Sequence, residues 1–543
     1  MAMENKKRTK ENFRLKKEFL YVCFGLLLIL FIFFPEVFIE KKLLIKTDLA
    51  GRFLSFSYYI RRHGFSVWSP IQMGYPYGIN PILGLFSPLI FFSFGLSYII
   101  SPEVVFTYSV IFCYFFSFLF MYAYMRIIKV DKISSFFSAV VFTFNELMIS
   151  YIDCLGALNT FLWLPLILFF LELFFQKRKR KYAIITGIIL GFQLLSGHIQ
   201  YAYWSVLLTG IYFIFKMVCL KEKRRKILSL FLIFSIALGI SAVVLLPGKE
   251  LISFSNRLSA TYKDIVAKED SFLSGKAFIS IFLYNTNLRK HNEEDFYPLY
   301  MGFIPGLIFL LSLFNKKRRY MVYFYLFLTF FILFLCWRKT SFLYHFIYLL
   351  QMPLGFNVFK EPLRAVFFLL FAISVLSGIG MNAFGDLIKK RSLSFFLRLF
   401  LIFIAVFNLY QMRNRTTYVN EVLCNRALPK RWISSLPSFL KEDCEKNLVR
   451  FYDLHSNRNF YNRALISGGY ESSGGTGIPF KRYLQFLKAT IKISPYEKAS
   501  QVCSLQSIPH FFVYPNLLRL TNTKYVVVFN GCSDEFFTTK PYF

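Results

Sequence analysis

The chain has 543 residues, of which 56% are hydrophobic, 20% aromatic and only 17% charged. Soluble domains are about 25% charged, so this composition excludes an ordinary water-soluble enzyme. The apolar residues lie in long uncharged runs, such as 104–125 and 365–385, and helices of about 20 residues are long enough to cross hydrocarbon. These runs exclude a disordered chain, a coiled coil and a small disulfide-rich fold. They predict a polytopic membrane protein.

The net charge is +34, from 64 Lys and Arg against 30 Asp and Glu. The basic residues stand in short bursts between the apolar runs, at 177–181, 221–226, 316–319 and 389–391. Cytoplasmic loops of inserted proteins carry this excess of Lys and Arg, whereas a groove for single-stranded nucleic acid interleaves its charges with stacking aromatic rings. The pattern predicts a lipid bilayer as partner and no nucleic acid.

The first apolar run, 19–39, follows a basic start that ends at Lys16 and Lys17. Lys41, Lys42 and Lys46 come after it in place of a small-residue cleavage site. A secretory signal is therefore disfavoured. We expect a retained first helix with its N-terminus in the cytoplasm.

The later runs, taken in chain order, alternate with the basic bursts. They lie at 83–100, 103–125, 134–149, 157–175, 183–196, 201–218, 228–247, 299–314, 320–337, 365–385 and 393–410. Helix 1 ends outside and the burst at 177–181 is inside, so an odd number of crossings must separate them. Four runs lie between them, from 83–100 to 157–175, and one of these therefore does not cross. The two candidates for this run are 83–100 and 134–149. The result is a membrane domain over 1–410 with about 11 to 13 transmembrane helices.

The tail, 411–543, has a different composition and is predicted to lie outside the membrane. Its segments 448–454 and 524–529 have the composition of strands, and 467–477 is a Gly- and Ser-rich loop. We expect a small extracytoplasmic α/β domain. Its four cysteines, Cys424, Cys444, Cys503 and Cys532, permit one or two disulfides in any of three pairings, or none.

The first outer loop, 40–82, contains the principal candidate for chemistry. Phe53, Phe56, Tyr59 and Ile60 recur at helical spacing and predict a short amphipathic helix in the membrane interface. Asp48 precedes this helix at head-group depth, where a carboxylate can accept a proton from an attacking hydroxyl or bind a cation. The structural alternative is that Asp48 is only the N-cap of the helix.

Other polar groups are predicted on the same side of the membrane as Asp48. They are Asp153, His198, Arg257, Lys360, Glu361 and Arg364. Ionisable groups at membrane depth are costly and are functional candidates by default, and a guanidinium can pair two phosphate oxygens at once. Snorkelling of Arg364, a carbonyl contact of His198 and a Lys360–Glu361 pair are the structural alternatives. Walker, dinucleotide-binding and H-E-x-x-H motifs are absent from the sequence.

Five segments together resemble the YfhO-like bacterial membrane proteins of the GT-C glycosyltransferase superfamily. The first outer loop carries T-D-L-x-G-R-F, Y-Y-I-R-R-H-G, W-S-P, G-Y-P-Y-G and F-S-P-L, and the other segments are 194–203, 244–257, 359–364 and 517–528. Two positions depart from the family's pattern. Ile199 stands where a proline is usual, and Lys360 stands near the place of an arginine.

The resemblance implies a glycosyltransferase of the inner membrane that uses a polyprenyl-phosphate sugar on the outer side. The essential acid of the superfamily maps onto Asp48, and the motif arginines, Arg257 and Arg364, are expected near the donor phosphate. Arg52, His198 and Glu361 are the other candidates for donor or substrate binding, and His63, Trp68 and Asp153 are additional ones. The implied acceptor is an envelope glycopolymer or glycolipid, and a divalent cation on Asp48 is an open option. The alternatives are a flippase for a lipid-linked glycan, although no internal repeat is evident, and a non-catalytic envelope-assembly scaffold.

Overall fold

The computed structural model describes the membrane domain and several short pieces of the tail. The described residues are 2–45, 49–63, 86–221, 226–254, 279–284, 298–337, 345–346, 349, 362–416, 419, 423–424, 450–453, 491–492, 512–513 and 523–527. In chain order the helices are α1 (Ala2–Phe33), α2 (Pro35–Phe38), α3 (Ser55–His63), α4 (Pro88–Leu96), α5 (Pro102–Ile127), α6 (Lys132–Phe144), α7 (Glu146–Ser150), α8 (Leu155–Lys177), α9 (Arg180–Leu194), α10 (Ile199–Cys219), α11 (Ile227–Phe254), α12 (Phe303–Leu311), α13 (Arg319–Cys336), α14 (Val366–Leu387) and α15 (Arg391–Arg415).

Eight helical stretches within the described residues are long and apolar enough to cross a membrane. They are Pro102–Ile127, Lys132–Ser150, Leu155–Lys177, Ile199–Cys219, Ile227–Lys249, Lys316–Cys336, Leu363–Leu387 and Arg391–Arg415. The other predicted crossings coincide with α1, α9 and the shorter apolar helix Phe303–Phe314. Every predicted crossing is therefore helical, and the predicted all-α membrane domain is confirmed.

The two weak runs differ in the length of helix that they form. Helix α4 has 9 residues, which is about 14 Å of helix against a hydrocarbon thickness of about 30 Å. The run 134–149, by contrast, lies within the 19-residue stretch Lys132–Ser150. Three spanning candidates therefore remain between α1 and the burst at 177–181, which is the odd number that the charge pattern requires.

Helix α14 is the centre of the bundle. In the stretch Leu363–Leu387, 94% of the 18 most apolar consecutive residues are buried inside the protein. The corresponding share is 22% in each of the two stretches that contain α11 and α15. Gly380 lies so close to the carbonyl of Ile308 on α12 that a Cβ atom would overlap with it. A small residue is needed there because two backbones approach each other directly.

The two ends of the bundle differ in composition. At one end, Glu18 pairs with Arg126 (2.9 Å) and Lys132 (2.5 Å), and Asp131 pairs with Arg398 (2.9 Å). The bursts at 316–319 and 389–391 belong to the same end, where Lys317 pairs with Asp386 (3.1 Å). We therefore call it the basic end.

The opposite end, which we call the site end, comprises residues 33–44, 145–156, 196–201, 298–302, 362–367 and 410–416. Aromatic contacts bring these segments together. Phe33 packs against Phe144 with ring centroids 4.4 Å apart and against Tyr410 at 6.1 Å.

The tail contributes strands in three pairs. Strands β1 (Leu43–Leu44) and β2 (Leu423–Cys424) are antiparallel, β3 (Arg450–Asp453) and β6 (Thr523–Val527) are parallel, and β4 (Ile491–Lys492) and β5 (Phe512–Val513) are antiparallel. Both strands predicted in the tail are present and pair with each other. Cys444, Cys503, Cys532 and the predicted loop 467–477 lie outside the described residues, so the disulfides and the extent of the tail domain stay predictions.

Candidate functional site

Three of the candidate residues have described side chains, and all three lie at the site end. They are His198, Arg364 and Asp153. For Arg52 and His63 only the backbone is described, and both belong to helical turns, Leu49–Leu54 and α3 respectively. Asp48, Trp68, Arg257 and Glu361 lie outside the described residues, together with Lys360, so their predicted roles stay predictions.

His198 follows a tight turn between α9 and α10. Gly197 has φ 99°, a conformation that L side chains avoid and glycine adopts without cost. The start of α8 lies against this turn, since a Cβ on Gly156 would be 3.6 Å from the carbonyl carbon of Gly197. The Ser-Gly-His sequence thus bends the chain so that His198 stands at the start of α10.

Arg364 lies in the 3-10 turn Pro362–Ala365 that leads into α14. Its Nη1 is 2.9 Å from Nε2 of His198, although 166 positions separate the two residues. A guanidinium can only donate hydrogen bonds, so the acceptor in this contact is Nε2 of His198. The histidine and the arginine, which were predicted as separate candidates, therefore form one hydrogen-bonded pair.

A cavity of about 240 Å³ adjoins this pair. Its lining is Leu147, Ser150, Tyr151, Tyr201, Pro298, Leu299, Leu363, Arg364, Val366 and Phe367. The wall is largely apolar, with the guanidinium, two phenols and one hydroxyl as its polar side chains. This combination is typical of ligand sites, in which a few polar groups orient a ligand within an apolar wall.

The two phenols of the wall are hydrogen-bonded to each other. The hydroxyl oxygens of Tyr151 and Tyr201 are 2.7 Å apart, and the Tyr201 ring lies 4.3 Å from the His198 ring. Tyr201 is three residues after His198 on the same helix, so helical periodicity could have indicated it. Sequence reasoning missed Tyr151, which lies on a segment distant in the chain.

Glu146 holds another part of the cavity wall in place. Its side chain is completely buried. Its Oε2 accepts a hydrogen bond from the backbone N–H of Tyr300 (2.9 Å), and its own N–H donates to the Tyr300 carbonyl (2.9 Å). A buried carboxylate needs such partners, and these bonds fix the strand-like segment that contributes Pro298 and Leu299 to the wall. Sequence reasoning missed Glu146 because it lies within an apolar run.

Asp153 lies in the turn between α7 and α8, two residues after Tyr151, and is half-exposed. It is not among the residues that line the cavity. The structure thus brings Asp153 to the site end without bringing it into the cavity wall.

The first outer loop is anchored on both sides of Asp48. The N–H of Leu44 donates to Oγ1 of Thr107 (3.1 Å), and Ile45 and Leu49 are both completely buried. A helical turn begins at Leu49, so Asp48 directly precedes a helix in the sequence, as both the catalytic and the N-cap interpretation require.

The predicted amphipathic helix is present as α3, but protein covers its apolar face. Phe53 packs against Phe106 at 5.9 Å and Phe56 against Phe94 at 5.7 Å. Tyr58 donates a hydrogen bond to Glu103 at the start of α5. Phe53, in the helical turn before α3, and Phe56 are therefore buried by α4 and α5. The location of the helix in the membrane interface stays a prediction.

The described residues contain no group of three or more His, Cys, Asp or Glu that could hold a metal ion. Asp48, the one residue on which the sequence suggested a cation, is outside this set. The divalent cation stays a prediction.

Comparison with known proteins gives structural matches alone. No protein-family model matches the chain, and no curated protein matches its sequence. The cryo-EM structure of the arabinofuranosyltransferase AftD from Mycobacteria is similar, with a TM-score of 0.56 and 10% identity over 85% of this chain and 32% of AftD. The apo crystal structure of the Archaeoglobus fulgidus oligosaccharyltransferase has a TM-score of 0.51 and 13% identity over 93% of this chain and 69% of that protein.

The present chain thus spans about a third of the length of AftD. At these identities the likeness establishes the fold, which is GT-C-like, as the sequence predicted. The resemblance to the YfhO-like family has no further support from these comparisons and stays a prediction.

Proposed function

We propose that this chain, a multi-pass membrane protein with a GT-C-like fold, is a glycosyltransferase. It transfers a sugar from a polyprenyl-phosphate donor to an envelope glycopolymer or glycolipid on the outer side of a bacterial cytoplasmic membrane. The observation that carries the proposal is the His198–Arg364 contact beside a cavity at the site end (2.9 Å, about 240 Å³). An arginine held by a histidine supplies positive charge beside a cavity that a small anionic group can occupy.

Arg364 is the group that binds the donor phosphate in this proposal. Guanidinium pairs two phosphate oxygens in a fixed geometry, and the hydrogen bond to His198 limits the directions in which it can point. The leaving group is a lipid phosphate that already carries charge, so its departure needs electrostatic stabilisation rather than protonation. Arg257, Arg52 and Glu361 are the further donor-binding residues that we propose, with His63, Asp153 and Trp68 as additional candidates.

Asp48 acts on the acceptor. Its carboxylate takes the proton of the acceptor hydroxyl, the hydroxyl oxygen forms a bond to the anomeric carbon, and the bond from that carbon to the phosphate oxygen breaks on the opposite face. The configuration inverts, and the lipid phosphate leaves as the anion. The anchoring of residues 44, 45 and 49 (Leu44 N to Thr107, with Ile45 and Leu49 buried) supports this role because these residues flank Asp48 in the sequence.

The orientation in the membrane follows from the charges. The basic end carries the Lys and Arg bursts, and such ends face the cytoplasm, which puts the N-terminus inside. The pairing of Leu43 with Cys424 supports a tail that lies outside, on the same side as the first outer loop.

The test is a transfer assay with purified protein in lipid, a radiolabelled polyprenyl-phosphate sugar and an envelope extract. We expect transfer by the wild type and none by Asp48→Asn. Asp386→Asn is the matched control, since it changes a carboxylate of the basic end that is half-exposed and paired with Lys317, and it should keep full transfer. Near-full activity of Asp48→Asn would refute the assignment, and labelled donor that is protected but never transferred would indicate a flippase instead.

A further inference from the structure

The outer end of α15 contacts two separate parts of the site end. Four residues there, Arg413 to Thr416, comprise the end of α15 and the residue that caps it. Arg413 points towards the start of the first outer loop, and Arg415 points towards the segment behind the cavity.

Arg413 is bound to α2, which precedes the first outer loop, through a buried ion pair. Its Nη2 is 2.5 Å from Oε2 of Glu36, in the first turn of α2, and its Nη1 donates to Asn414 at 2.9 Å. The side chain of Arg413 is 4% exposed and that of Glu36 13%. A charge pair this deeply buried must stay paired, because either partner alone would be an uncompensated buried charge.

The tail strengthens the same attachment. After α15 the chain reaches Leu423 and Cys424, which pair with Leu44 and Leu43 in an antiparallel register. Leu44 also donates its N–H to Thr107, and Asp48 follows four residues later. The loop that carries Asp48 is therefore held by α15, by the tail and by α5.

Arg415 makes the second connection. Its guanidinium carbon lies 5.7 Å from the ring centroid of Tyr284, and Tyr284 meets Tyr300 edge-on at 5.4 Å. Glu146 fixes Tyr300 through two backbone hydrogen bonds of 2.9 Å. The adjacent residues 298 and 299 line the cavity beside Arg364, so the contacts of Arg415 lead to the cavity wall.

We propose that Arg413 and Arg415 are positioning residues that hold the Asp48 loop and the cavity wall in one fixed arrangement. Two groups on distant segments must meet one substrate, and a single rigid helix end that contacts both segments sets their separation. The effect of these residues on sugar transfer rests on the proposed function. The attachment of the two segments to the end of α15, which we call the mechanical connection, does not.

The first experiment measures the connection without substrate. Reporter cysteines are introduced as Leu49→Cys and, separately, Leu299→Cys, at positions 0% and 1% exposed. N-ethylmaleimide labelling is followed residue by residue by mass spectrometry, so that the native cysteines can stay. We expect Arg413→Gln to speed labelling at position 49 by at least about tenfold, with little change at 299, and Arg415→Ala to do the reverse.

Two further variants separate a specific connection from general loosening. The exchange Glu36→Arg with Arg413→Glu rebuilds the ion pair in reverse and should restore protection of position 49. Lys42→Ala breaks the exposed pair with Glu40 on the same loop (2.6 Å, side chains 36% and 49% exposed) and should leave both labelling rates unchanged. If Arg413→Gln does not fold, Glu36→Gln tests the same pair from the other side.

The second experiment uses the transfer assay on variants without reporters. Arg413→Gln should lower kcat and leave the donor KM unchanged, because it displaces the acceptor-activating loop but not Arg364. Arg415→Ala should raise the donor KM. Equal labelling at both positions in both variants, or no rescue by the charge exchange, would overturn the proposal. If the protein transfers no sugar at all, the labelling pattern still decides the mechanical connection, so the two failures are distinguishable.

Discussion

Buried polar groups occur both at the site end and in the half of the bundle next to the basic end, which we call the basic half. The two sets of groups are arranged differently. In the basic half, Glu172 on α8 is 2% exposed, accepts a hydrogen bond from Tyr212 and pairs with Lys216 at 2.7 Å. Tyr124 continues the chain, with its hydroxyl 3.2 Å from that of Tyr212 and hydrogen-bonded to that of Tyr325. This network ties together α5, α8, α10 and α13.

The site end holds its polar groups around a cavity instead. Arg364, Tyr151 and Tyr201 line about 240 Å³ of space that a ligand can enter, whereas the three tyrosines of the basic half are completely buried. A carboxylate inside a membrane domain is a functional candidate by default, yet Glu172 is engaged by protein donors. Access to space, rather than burial of charge, therefore distinguishes the binding site from the structural network.

The largest effect that we expect comes from the packing of the basic half. Gly380→Ala should abolish folded protein, because the new Cβ overlaps with the Ile308 carbonyl and the α12 backbone cannot move independently of its helix. Gly239→Ala is the matched control, since nothing lies within 4 Å of its Cβ position and alanine favours a helix by up to about 1 kcal/mol. Size-exclusion profiles in detergent check both, and a normal profile for Gly380→Ala would contradict the close approach.

The next effect concerns the cavity. Arg364→Ala should lower transfer by about 100-fold, the usual loss when one preorganised charge-stabilising donor is removed. Arg364→Lys keeps the charge but loses the two-point fork, so its rate should lie in between. Initial rates measure both, with the melting temperature in detergent as a check on folding. Equal activity of the lysine and wild-type proteins would argue against bidentate phosphate binding.

Glu172→Gln should affect stability and leave catalysis unchanged. The substitution removes the charge-assisted bonds to Tyr212 and Lys216, and hydrogen bonds to charged groups contribute about 1.5–3 kcal/mol. The melting temperature in detergent should therefore fall, while transfer per folded molecule stays at the wild-type rate. A selective loss of transfer at normal stability would show that the network of the basic half takes part in the reaction.

The smallest effect should come from Tyr151→Phe. This variant keeps the ring and removes the 2.7 Å hydrogen bond to Tyr201, which is typically a contribution of about 1 kcal/mol. We expect a change of about fivefold or less, in the donor KM rather than in kcat, because the cavity wall keeps its shape. Steady-state kinetics check this, and a loss as large as that of Arg364→Ala would place Tyr151 in direct contact with the reacting groups.

The sequence predicted features that depend on local pattern, and it did not predict contacts that depend on how the helices pack. The apolar runs predicted each spanning helix, since about 20 uncharged residues in lipid have to satisfy their backbone groups within a helix. The motif around His198 and the segment at Arg364 were predicted separately, and the structure joins them at 2.9 Å. Glu146 and Glu172 were missed, because one acidic residue within an apolar run carries no sign of the partners that accommodate it.

In the first outer loop, too, local pattern predicted the helix and packing decided its surroundings. Its helical spacing predicted α3 and its apolar face, but whether lipid or protein covers that face depends on where α4 lies. The run that contains α4 matched a membrane span by composition, whereas the observed helix has only 9 residues. The length of a helix depends on where the chain turns, and the hydropathy of the run does not predict the position of that turn.

By itself the sequence determined the membrane class, the helices and their order, and the asymmetry of charge between the two ends. These properties follow from local chemistry, because apolar length and Lys or Arg content act on each segment independently of the others. The tertiary structure alone decided which polar groups meet. The His198–Arg364 pair, the clamp of Glu146 on Tyr300 and the double attachment of α15 all join residues more than 100 positions apart, and such contacts exist only once the helices have packed.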